Sequence, residues 1–479
     1  MFIKQLYTNC LSEAAYYIES AGEAAIIDPI RDIQSYLDLA AERNATIRYI
    51  FETHFHADFI SGHLELSKAT GAPIIYGPET ETKYDIEIAK DGQKYSIGEL
   101  TLEVLHTPGH TLESTCYLLR DQKDEPYCIF TGDTLFVGDV GRPDLSSGDL
   151  NSEELATLLF RSLQTKIKTL PDHVIVYPAH GPGSSCGKNI GPETQTTIGK
   201  EKQSNYALLA EDKDEFVKAV TTGLTPPPSY FSLNAKINKE GYSELEDVVK
   251  KGMQEVDVKT LVAWKDEGKD LVIVDTRHAD VFAEGYVPES VFIGLEGRYA
   301  EWAGMLLPYD KDILLITEPG KEEESIVRLA RVGFENFIGY LKGGYEAWKK
   351  AGEDIDLLIN VEPDELIMDL PFDENLVEHN LVLIMDLPFV ENLVVLDVRK
   401  ETEFDAGHVD NAENLPLEKL KDPGSMAMIE ETDNIYVHCA GGYRSTIACS
   451  LLKRQGIHNL RNVKGGWKAI SELLNEKAS

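Results

Sequence analysis

Histidine and carboxylate side chains that could bind a metal ion recur at the ends of β-rich segments in the N-terminal half of the sequence. The run "FETHFHADFISGHLEL" (residues 51–66) has the spacing His-x-His-x-Asp, and "HTPGHT", "FTGDT" and "YPAHGPGS" follow it. Each segment passes from a strand pattern into a loop, where ligands from distant parts of a chain converge. Imidazoles and carboxylates are ligands for zinc and iron. The candidate ligands are His54, His56, Asp58, His110, Asp133 and His180.

A second kind of chemistry is indicated by a cysteine near the C-terminus, in "NIYVHCAGGYRSTIACSLLKRQG". The pattern predicts a strand that ends at Cys439, a short loop with Arg444, and then a helix. Backbone N–H groups, the helix N-terminus and the guanidinium all favour a thiolate there. Cys439 and Arg444 are therefore the candidate catalytic residues, and we expect the intervening loop to bind substrate through Gly441, Gly442 and Tyr443.

Composition and charge limit the classes of function. A length of 479 residues suggests about three domains. The formal charge of −36 should repel nucleic acid and anionic lipid. The sequence has no stretch of about 18 apolar residues and no secretion signal pattern, so we expect no membrane span and a cytoplasmic location. The six cysteines lack paired spacing, which favours free thiols in a reducing compartment.

The elements that must position these residues fall into three predicted domains. Residues 1–245 alternate β-rich runs with helical patches and end in a proline cluster, "GLTPPPSYF". Residues 246–358 and 359–479 resemble each other: "LVIVDTRHADVFAEGYVPESVFIGL" is echoed by "LVVLDVRKETEFDAGHVDNAENLPL", and "LKGGYEAWKKAG" by "VKGGWKAI". Each copy alternates strands and helices, which predicts a small α/β domain with a parallel sheet.

A shorter repeat lies within residues 366–395, where "LIMDLPFDENLV" recurs as "LIMDLPFVENLVV". A local tandem duplication that lengthens a linker is the favoured interpretation, and a docking motif is the alternative. We assign it no chemistry.

The metal-type pattern resembles the metallo-β-lactamase fold, an αββα sandwich, over residues 1–245. Two-metal hydrolases of that fold, such as glyoxalase II, carry a further histidine directly after the aspartate, where this chain has Phe59. "GDTLFVGDVGRPDL" and "HGPGSSCGK" are similar to the persulfide dioxygenase branch. That resemblance implies one Fe(II) per chain, bound by His54, His110 and Asp133, with zinc as an incorrect metal acquired in purification.

By the same resemblance, three of the candidate ligands do not bind the metal but orient its ligands and a metal-bound water. They are His56, Asp58 and His180. Arg142 matches an arginine that contacts the carboxylate of a glutathione-type substrate, the alternative being an ordinary salt bridge. Cys186 is either a thiol at the mouth of the site or a small residue in a tight turn. Both are retained as substrate-binding candidates.

The Cys439 region resembles the rhodanese sulfurtransferases across residues 390–475, supported by "LDVRKETEFDAGH" and "VKGGW". The spacing is Cys-x4-Arg, whereas cysteine phosphatases use Cys-x5-Arg, so sulfur transfer is favoured. Asp397, Arg399 and Glu403 are expected to form a structural charge cluster. Aligned on this copy, the second domain has Glu318 in place of Cys439 and is predicted to be a cysteine-less pseudo-rhodanese, used for spacing or for an interface.

The domain order resembles bacterial persulfide dioxygenase–rhodanese fusions of sulfide detoxification. The resemblance implies oxidation by O2 of a persulfide of glutathione, coenzyme A or a similar thiol to sulfite, sulfur transfer through Cys439 to form or use thiosulfate, and a homo-oligomer. Two alternatives remain open: a zinc hydrolase of glutathione thioesters fused to a rhodanese, and a non-catalytic sulfur carrier or redox scaffold.

Overall fold

The computed structural model describes residues 1–145, 150–370, 392–426, 429 and 433–478. They form two compact units. Unit 1 comprises Met1–Val249 with two later segments, Ala303–Met305 and Ile326–Glu335, and unit 2 comprises the remaining described residues from Lys250 onward. Residues 371–391, which carry most of the short duplication predicted at 366–395, lie outside the described residues.

Unit 1 is built on two six-stranded sheets within the described residues. The first has the order β1-β2-β3-β4-β5-β6, antiparallel up to β3 and parallel beyond it. The second has the order β12-β11-β10-β9-β8-β7, in which β10 and β11 pair in parallel and the other pairs are antiparallel. The strands are β1 (Phe2–Thr8), β2 (Glu13–Ser20), β3 (Glu23–Ile27), β4 (Thr46–Phe51), β5 (Ile74–Tyr76), β6 (Glu87–Ile88), β7 (Lys94–Ile97), β8 (Leu100–His106), β9 (Thr115–Arg120), β10 (Pro126–Gly132), β11 (Ile175–Pro178) and β12 (Thr196–Thr197).

The two sheets pack face to face through a shared core. Tyr16 and Ile18 of the first sheet lie in one buried cluster with Tyr117 and Phe130 of the second. The other face of the second sheet packs against helices, with Leu159 in that layer. This arrangement confirms the predicted αββα sandwich. The helices up to residue 252 are α1 (Gln34–Glu42), α2 (His63–Thr70), α3 (Ser152–Ser162), α4 (Ile198–Ser204), α5 (Tyr206–Leu209), α6 (Lys213–Thr221), α7 (Phe231–Glu240) and α8 (Leu245–Gly252).

Unit 2 contains two five-stranded parallel sheets in its described residues, and their strand orders correspond one to one. The orders are β13-β17-β16-β14-β15 and β18-β22-β21-β19-β20. The predicted repeat and its parallel sheets are therefore confirmed. The strands are β13 (Glu255–Val256), β14 (Leu271–Asp275), β15 (Val291–Phe292), β16 (Asp312–Ile316), β17 (Phe337–Leu341), β18 (Ile359–Val361), β19 (Leu393–Asp397), β20 (Glu413–Asn414), β21 (Asn434–His438) and β22 (Leu460–Val463).

Helices connect the parallel strands, because parallel neighbours need a crossover connection. They are α9 (Val258–Asp266), α10 (Ala279–Glu284), α11 (Tyr299–Leu306), α12 (Glu322–Ala330), α13 (Gly344–Ala351), α14 (Pro363–Asp369), α15 (Glu401–Asp405), α16 (Tyr443–Arg454) and α17 (Gly466–Ala478). Across the described ranges, no helix combines the length and the apolar content that a bilayer crossing needs.

The Gly-Gly turn before α17 holds the loop that carries the candidate nucleophile. Gly466 has a φ of +55°, which favours glycine, and a Cβ built on it would lie 2.2 Å from the Cys439 carbonyl oxygen. The backbone N–H of Trp467 donates to that same oxygen at 2.6 Å. The glycine therefore lets the turn approach the Cys439 backbone closely enough to bond it.

We expect Gly466→Ala to lower the free energy of unfolding by about 2 to 4 kcal/mol, because it adds overlap with the Cys439 backbone to an unfavourable φ. Gly456→Ala is the matched control: its φ is +92° and no atom lies within 4 Å of the added Cβ. The control should cost only about 1 kcal/mol. Urea unfolding followed by tryptophan fluorescence measures both, and equal losses would contradict the proposed close approach.

Candidate metal centre and thiol site

The predicted iron ligands come together in unit 1 at the ends of strands from both sheets. His54 follows β4, His110 follows β8 and Asp133 follows β10. The Nε2 atoms of His54 and His110 lie 3.8 and 3.4 Å from Oδ2 of Asp133. All three side chains are buried. Their ligand atoms lie within 4.8 Å of one another, which suits one metal ion.

The three residues predicted to support the ligands form a second group beside the first. Nε2 of His180 lies 3.5 Å from Oδ2 of Asp58 and 3.5 Å from Oδ1 of Asp133. His56, Asp58 and His180 also bring three ligand atoms within 4.8 Å of one another. Distances alone therefore allow a second ion here.

Hydrogen bonds fix which nitrogen of each histidine faces Asp133. Nδ1 of His110 donates to the Arg142 carbonyl at 2.9 Å, and Nδ1 of His180 donates to the Ser12 carbonyl at 3.1 Å. Nδ1 of His54 lies 2.9 Å from Oγ1 of Thr53, which itself donates to Asp28. Because a neutral imidazole carries one proton, these bonds place that proton on Nδ1. The lone pair on Nε2 is then available to bind a metal.

The two histidines of the His-x-His pair have opposite electrostatic surroundings. Burial and the neighbouring histidines lower the pKa of His54 well below its ordinary value, so this ring is neutral. Burial also lowers the pKa of His56, but Asp28 and Glu52 outweigh it and raise that pKa to about 10. Nε2 of His56 lies 3.2 Å from Oδ1 of Asp28 and 3.6 Å from Oε2 of Glu52.

Buried polar atoms at the site fit a bound cation. Both carboxylate oxygens of Asp133 and of Asp58, and Nε2 of His180, have no hydrogen-bond partner among the described residues. A buried carboxylate without a partner is costly, and a divalent cation is a partner that removes the cost. Imidazole nitrogens with one carboxylate suit iron or zinc.

Phe59 occupies the position after Asp58 as a fully buried side chain. Its ring centroid lies 4.3 Å from that of His56, with 31° between the planes. The amide of Asn238 donates to the carbonyls of both His56 and Phe59, at 2.8 Å each. The phenyl ring therefore packs against His56 in a fixed backbone and offers no ligand atom.

The two substrate-binding candidates of this domain are buried close to the metal ligands. Nε and Nη2 of Arg142 donate to Asp144 at 2.7 and 2.6 Å, so its guanidinium is already paired. Cys186 lies with Asp133 and His180 within metal-ligand distance. Burial raises the pKa of the Cys186 thiol well above its ordinary value, and Asp58 adds to the shift.

Sequence reasoning missed the carboxylates beneath the site. Asp28 accepts from the backbone and the hydroxyl of Thr53, and Glu52 accepts from Ser61 and pairs with Nδ1 of His63 at 3.0 Å. The available signal was their position, because "IIDP" and "FETH" each end a buried strand with a carboxylate. Asp28 reaches His54 through the Thr53 hydroxyl, and both carboxylates lie beside Nε2 of His56.

The thiol site lies in unit 2, where β21 ends at His438 and α16 begins at Tyr443. Cys439 is buried, and the backbone N–H of Gly442 donates to its Sγ at 3.1 Å. Gly442 has a φ of +105°, which favours glycine and turns this N–H inward. The loop thus stabilises negative charge on the sulfur.

Arg444 and Glu403 form a paired contact beside this loop. Nη1 and Nη2 of Arg444 donate to Oε2 and Oε1 of Glu403 at 2.7 Å each. Burial lowers the pKa of Arg444, but Glu403 and the nearby Cys439 outweigh burial and raise this pKa above its ordinary value. Asp397 pairs with Arg399 at 2.6 Å, and Arg399 also acts electrostatically on Glu403, so the three residues expected to form a charge cluster lie together and Glu403 extends it to the Cys439 loop.

The second domain contacts the Cys439 loop of the third domain. The Tyr443 hydroxyl donates to the Gly294 carbonyl at 2.7 Å, and a Cβ built on Gly297 would lie 2.2 Å from the Tyr443 ring. In the second copy β16 ends at Ile316 and α12 begins at Glu322, matching the strand-loop-helix of the third. Its loop carries the exposed Glu318, a carboxylate that cannot accept sulfur as a thiol does.

Two facing sheets with a buried histidine–aspartate site define a metal-binding αββα protein, here joined to parallel-sheet domains with a cysteine loop. The sequence matches the metallo-beta-lactamase superfamily over residues 8–180 and the rhodanese-like domain over residues 257–351 and 385–473. A metallo-beta-lactamase from Staphylococcus aureus subsp. aureus COL is 32% identical, aligned over 71% of this chain and 98% of that chain, with a TM-score of 0.63. The chain belongs to the metallo-beta-lactamase superfamily, with two rhodanese-like domains in tandem.

Two smaller structures are similar to part of the chain. ETHE1 from Myxococcus xanthus is 29% identical, aligned over 50% of this chain and 98% of that chain, with a TM-score of 0.43. TTHA1623, solved in a di-iron-bound form, is 26% identical, aligned over 43% of this chain and 98% of that chain, with a TM-score of 0.33.

We expect Thr53→Val to weaken metal binding about tenfold or more, because it removes the hydroxyl that links Nδ1 of His54 to Asp28. Chelator competition with Fe(II) or Zn(II) measures the affinity. The control is Thr80→Val, another buried threonine, whose hydroxyl donates to the Gly77 carbonyl at 2.9 Å. Unchanged affinity in Thr53→Val would show that this hydroxyl does not orient His54.

Proposed function

We propose that this protein is a non-haem Fe(II) persulfide dioxygenase coupled to rhodanese sulfur transfer, acting in sulfide detoxification. The observation that carries the proposal is the buried group of two imidazoles and one carboxylate formed by His54, His110 and Asp133. This ligand set is typical of Fe(II) oxygenases, whose remaining coordination positions stay open. The Cys439 loop in the same chain supplies a second sulfur chemistry.

Fe(II) would be held by His54, His110 and Asp133 and would supply the redox chemistry for reaction of a persulfide sulfur with O2. The chain's own residues orient that chemistry. His110 and His180 keep Nε2 free through bonds from Nδ1 to backbone carbonyls. Asp58 and His180 provide polar atoms that can orient a metal-bound water. The reaction consumes RSSH, O2 and water and yields RSH, sulfite and two protons.

Cys439 carries the second reaction. Its thiolate attacks the sulfane sulfur of a persulfide, the S–S bond of the donor breaks, and the donor thiol leaves. The Gly442 N–H at 3.1 Å from Sγ stabilises the charged forms of this sulfur. Sulfite then attacks the bound sulfane sulfur, thiosulfate forms, and the Cys439 thiolate is released. The reverse direction uses thiosulfate as donor.

Glutathione persulfide, coenzyme A persulfide or a similar thiol persulfide is the proposed substrate. A carboxylate of such a substrate would bind Arg142 by displacing Asp144, and Cys186 would lie close to its sulfur. A cytoplasmic location is proposed from the unpaired spacing of the six cysteines in the sequence. A homo-oligomer is proposed from the family resemblance.

Separate substitutions test the division of labour. We expect Cys439→Ser to retain O2 uptake on addition of glutathione persulfide and to lose thiosulfate formation, because the two reactions use different residues. His110→Ala should lose O2 uptake and retain sulfur transfer. An oxygen electrode and thiosulfate analysis of protein loaded with Fe(II) measure both.

Two variants control for general damage. Cys10→Ser removes a partly buried thiol outside both sites, and His106→Ala removes a ring that bonds the Leu112 carbonyl at 2.8 Å. Both should keep both activities. Loss of O2 uptake in Cys439→Ser would show that the oxygenation and the sulfur transfer are not independent.

A two-metal hydrolase is the second candidate, favoured by the group of His56, Asp58 and His180. Metal counting separates the two. We expect about one ion per chain in the natural protein, since Phe59 offers no ligand, and a second ion in Phe59→His. Inductively coupled plasma mass spectrometry after loading with Fe(II) or Zn(II) gives the count. Two ions in the natural protein, with thioester hydrolysis in the absence of O2, would support the hydrolase instead.

A further inference from the structure

The charge at the Cys439 loop depends on one ion pair. Between Cys439 and Arg444 the loop sequence is Ala-Gly-Gly-Tyr, so Arg444 is its cationic side chain. Small sulfur anions such as sulfite and thiosulfate carry two negative charges. Whether they accumulate at the sulfur therefore depends on how much of the Arg444 charge they encounter.

Glu403 occupies both terminal nitrogens of Arg444. The two parallel bonds, at 2.7 Å each, form the bidentate geometry that a guanidinium prefers for a carboxylate. The side chains are 17% and 35% exposed, so the pair meets water and an incoming anion can reach it. An anion that binds Arg444 must compete with a carboxylate already in place.

Glu403 forms its hydrogen-bonded ion pair with Arg444, and Arg399 adds a smaller electrostatic attraction. Arg399 is held by the carboxylate of Asp397 through bonds of 2.6 to 2.9 Å and by the Gly407 carbonyl. The backbone N–H of Lys400 donates to Glu403 Oε2 at 3.2 Å, which anchors the carboxylate at the start of α15. The carboxylate is thus fixed in front of Arg444 by its own helix.

We propose that Glu403 is a specificity-determining residue that neutralises Arg444 and weakens the binding of small dianions at the Cys439 loop. The inference rests on the proposed sulfur transfer. Its consequence is that thiosulfate is released readily, while thiol persulfides, which depend less on Arg444, remain good sulfur donors. Glu403 acts through Arg444 and does not itself contact the transferred sulfur.

The test compares an anionic with a neutral reagent at the same thiol. The rate of Cys439 alkylation by iodoacetate, divided by the rate with iodoacetamide, reports the local potential, because a change in thiol pKa affects both rates equally. Mass spectrometry of the Cys439 peptide in the intact folded protein gives each rate. We expect Glu403→Gln to raise the ratio about three- to tenfold at low ionic strength, with a smaller rise at high salt.

Two further variants make the result specific. Glu401→Gln removes the same charge from the same helix, but Glu401 pairs with Lys419 at 2.7 Å, so the ratio should change less than twofold. Arg444→Gln should lower the ratio, because it leaves Glu403 unpaired. Thermal melting checks that every variant is folded, and Glu403→Ala provides a second removal of the charge.

Several outcomes overturn the inference. An unchanged ratio in Glu403→Gln would mean that the pair does not set the potential, and a lowered ratio would mean that Glu403 positions Arg444 for anion binding. Resistance of Cys439 to both reagents in the folded protein would mean that small anions do not reach the loop.

Steady-state kinetics separates this inference from the proposed function. With thiosulfate as donor, Glu403→Gln should lower KM about three- to tenfold with little change in kcat. If the natural protein transfers no sulfur from any donor, the proposed function fails, and the alkylation ratio still decides the role of Glu403.

Discussion

The burial of the Asp133 carboxylate is the constraint on which unit 1 depends. Its two oxygens lack hydrogen-bond partners among the described residues and face the Nε2 atoms of His54, His110 and His180 at 3.4 to 3.8 Å. Such a group is stable only beside a cation or when protonated. The two sheets satisfy this requirement by ending several strands at one place, so that the ligands approach from different directions. Backbone carbonyls bond Nδ1 of His110 and His180, and the Thr53 hydroxyl bonds Nδ1 of His54.

The thiol site also lies at the end of a strand, but there the protein surrounds a negatively charged group with donors, whereas at the metal site it surrounds a cation with ligands. A parallel strand ends, a glycine loop turns its N–H groups inward, and a helix begins. The negative charge here is carried by a sulfur, so the loop supplies donors in place of a metal. Glu403 offsets the positive charge of Arg444. The Gly442 N–H can therefore stabilise the thiolate while small anions are attracted less strongly to the loop. The second domain keeps this architecture without the cysteine, and its Gly294 carbonyl accepts a hydrogen bond from Tyr443 of the Cys439 loop.

Phe59 is a packing residue at a position next to the metal-type residues, and its ring offers no ligand atom. Phe59, the residue after Asp58, is fully buried, and its backbone carbonyl accepts a hydrogen bond from Asn238. The ring packs on His56, whose charge is compensated by Asp28 and Glu52.

The αββα class came from the resemblance of the ligand pattern to a known fold, whereas the sequence by itself indicated the internal repeat, the parallel-sheet class of the C-terminal half, and the candidate ligands and nucleophile. It could do so because strand periodicity, the internal repeat and the chemistry of histidine, aspartate and cysteine are local properties. Only the tertiary structure decided that Asp28 and Glu52 surround His56, that Arg142 is paired with Asp144, and that Glu403 pairs with Arg444. The Tyr443 contact with Gly294 is of the same kind. These contacts depend on side-chain direction and on the approach of residues far apart in the chain, which the pattern of residue types along a single strand or helix does not specify.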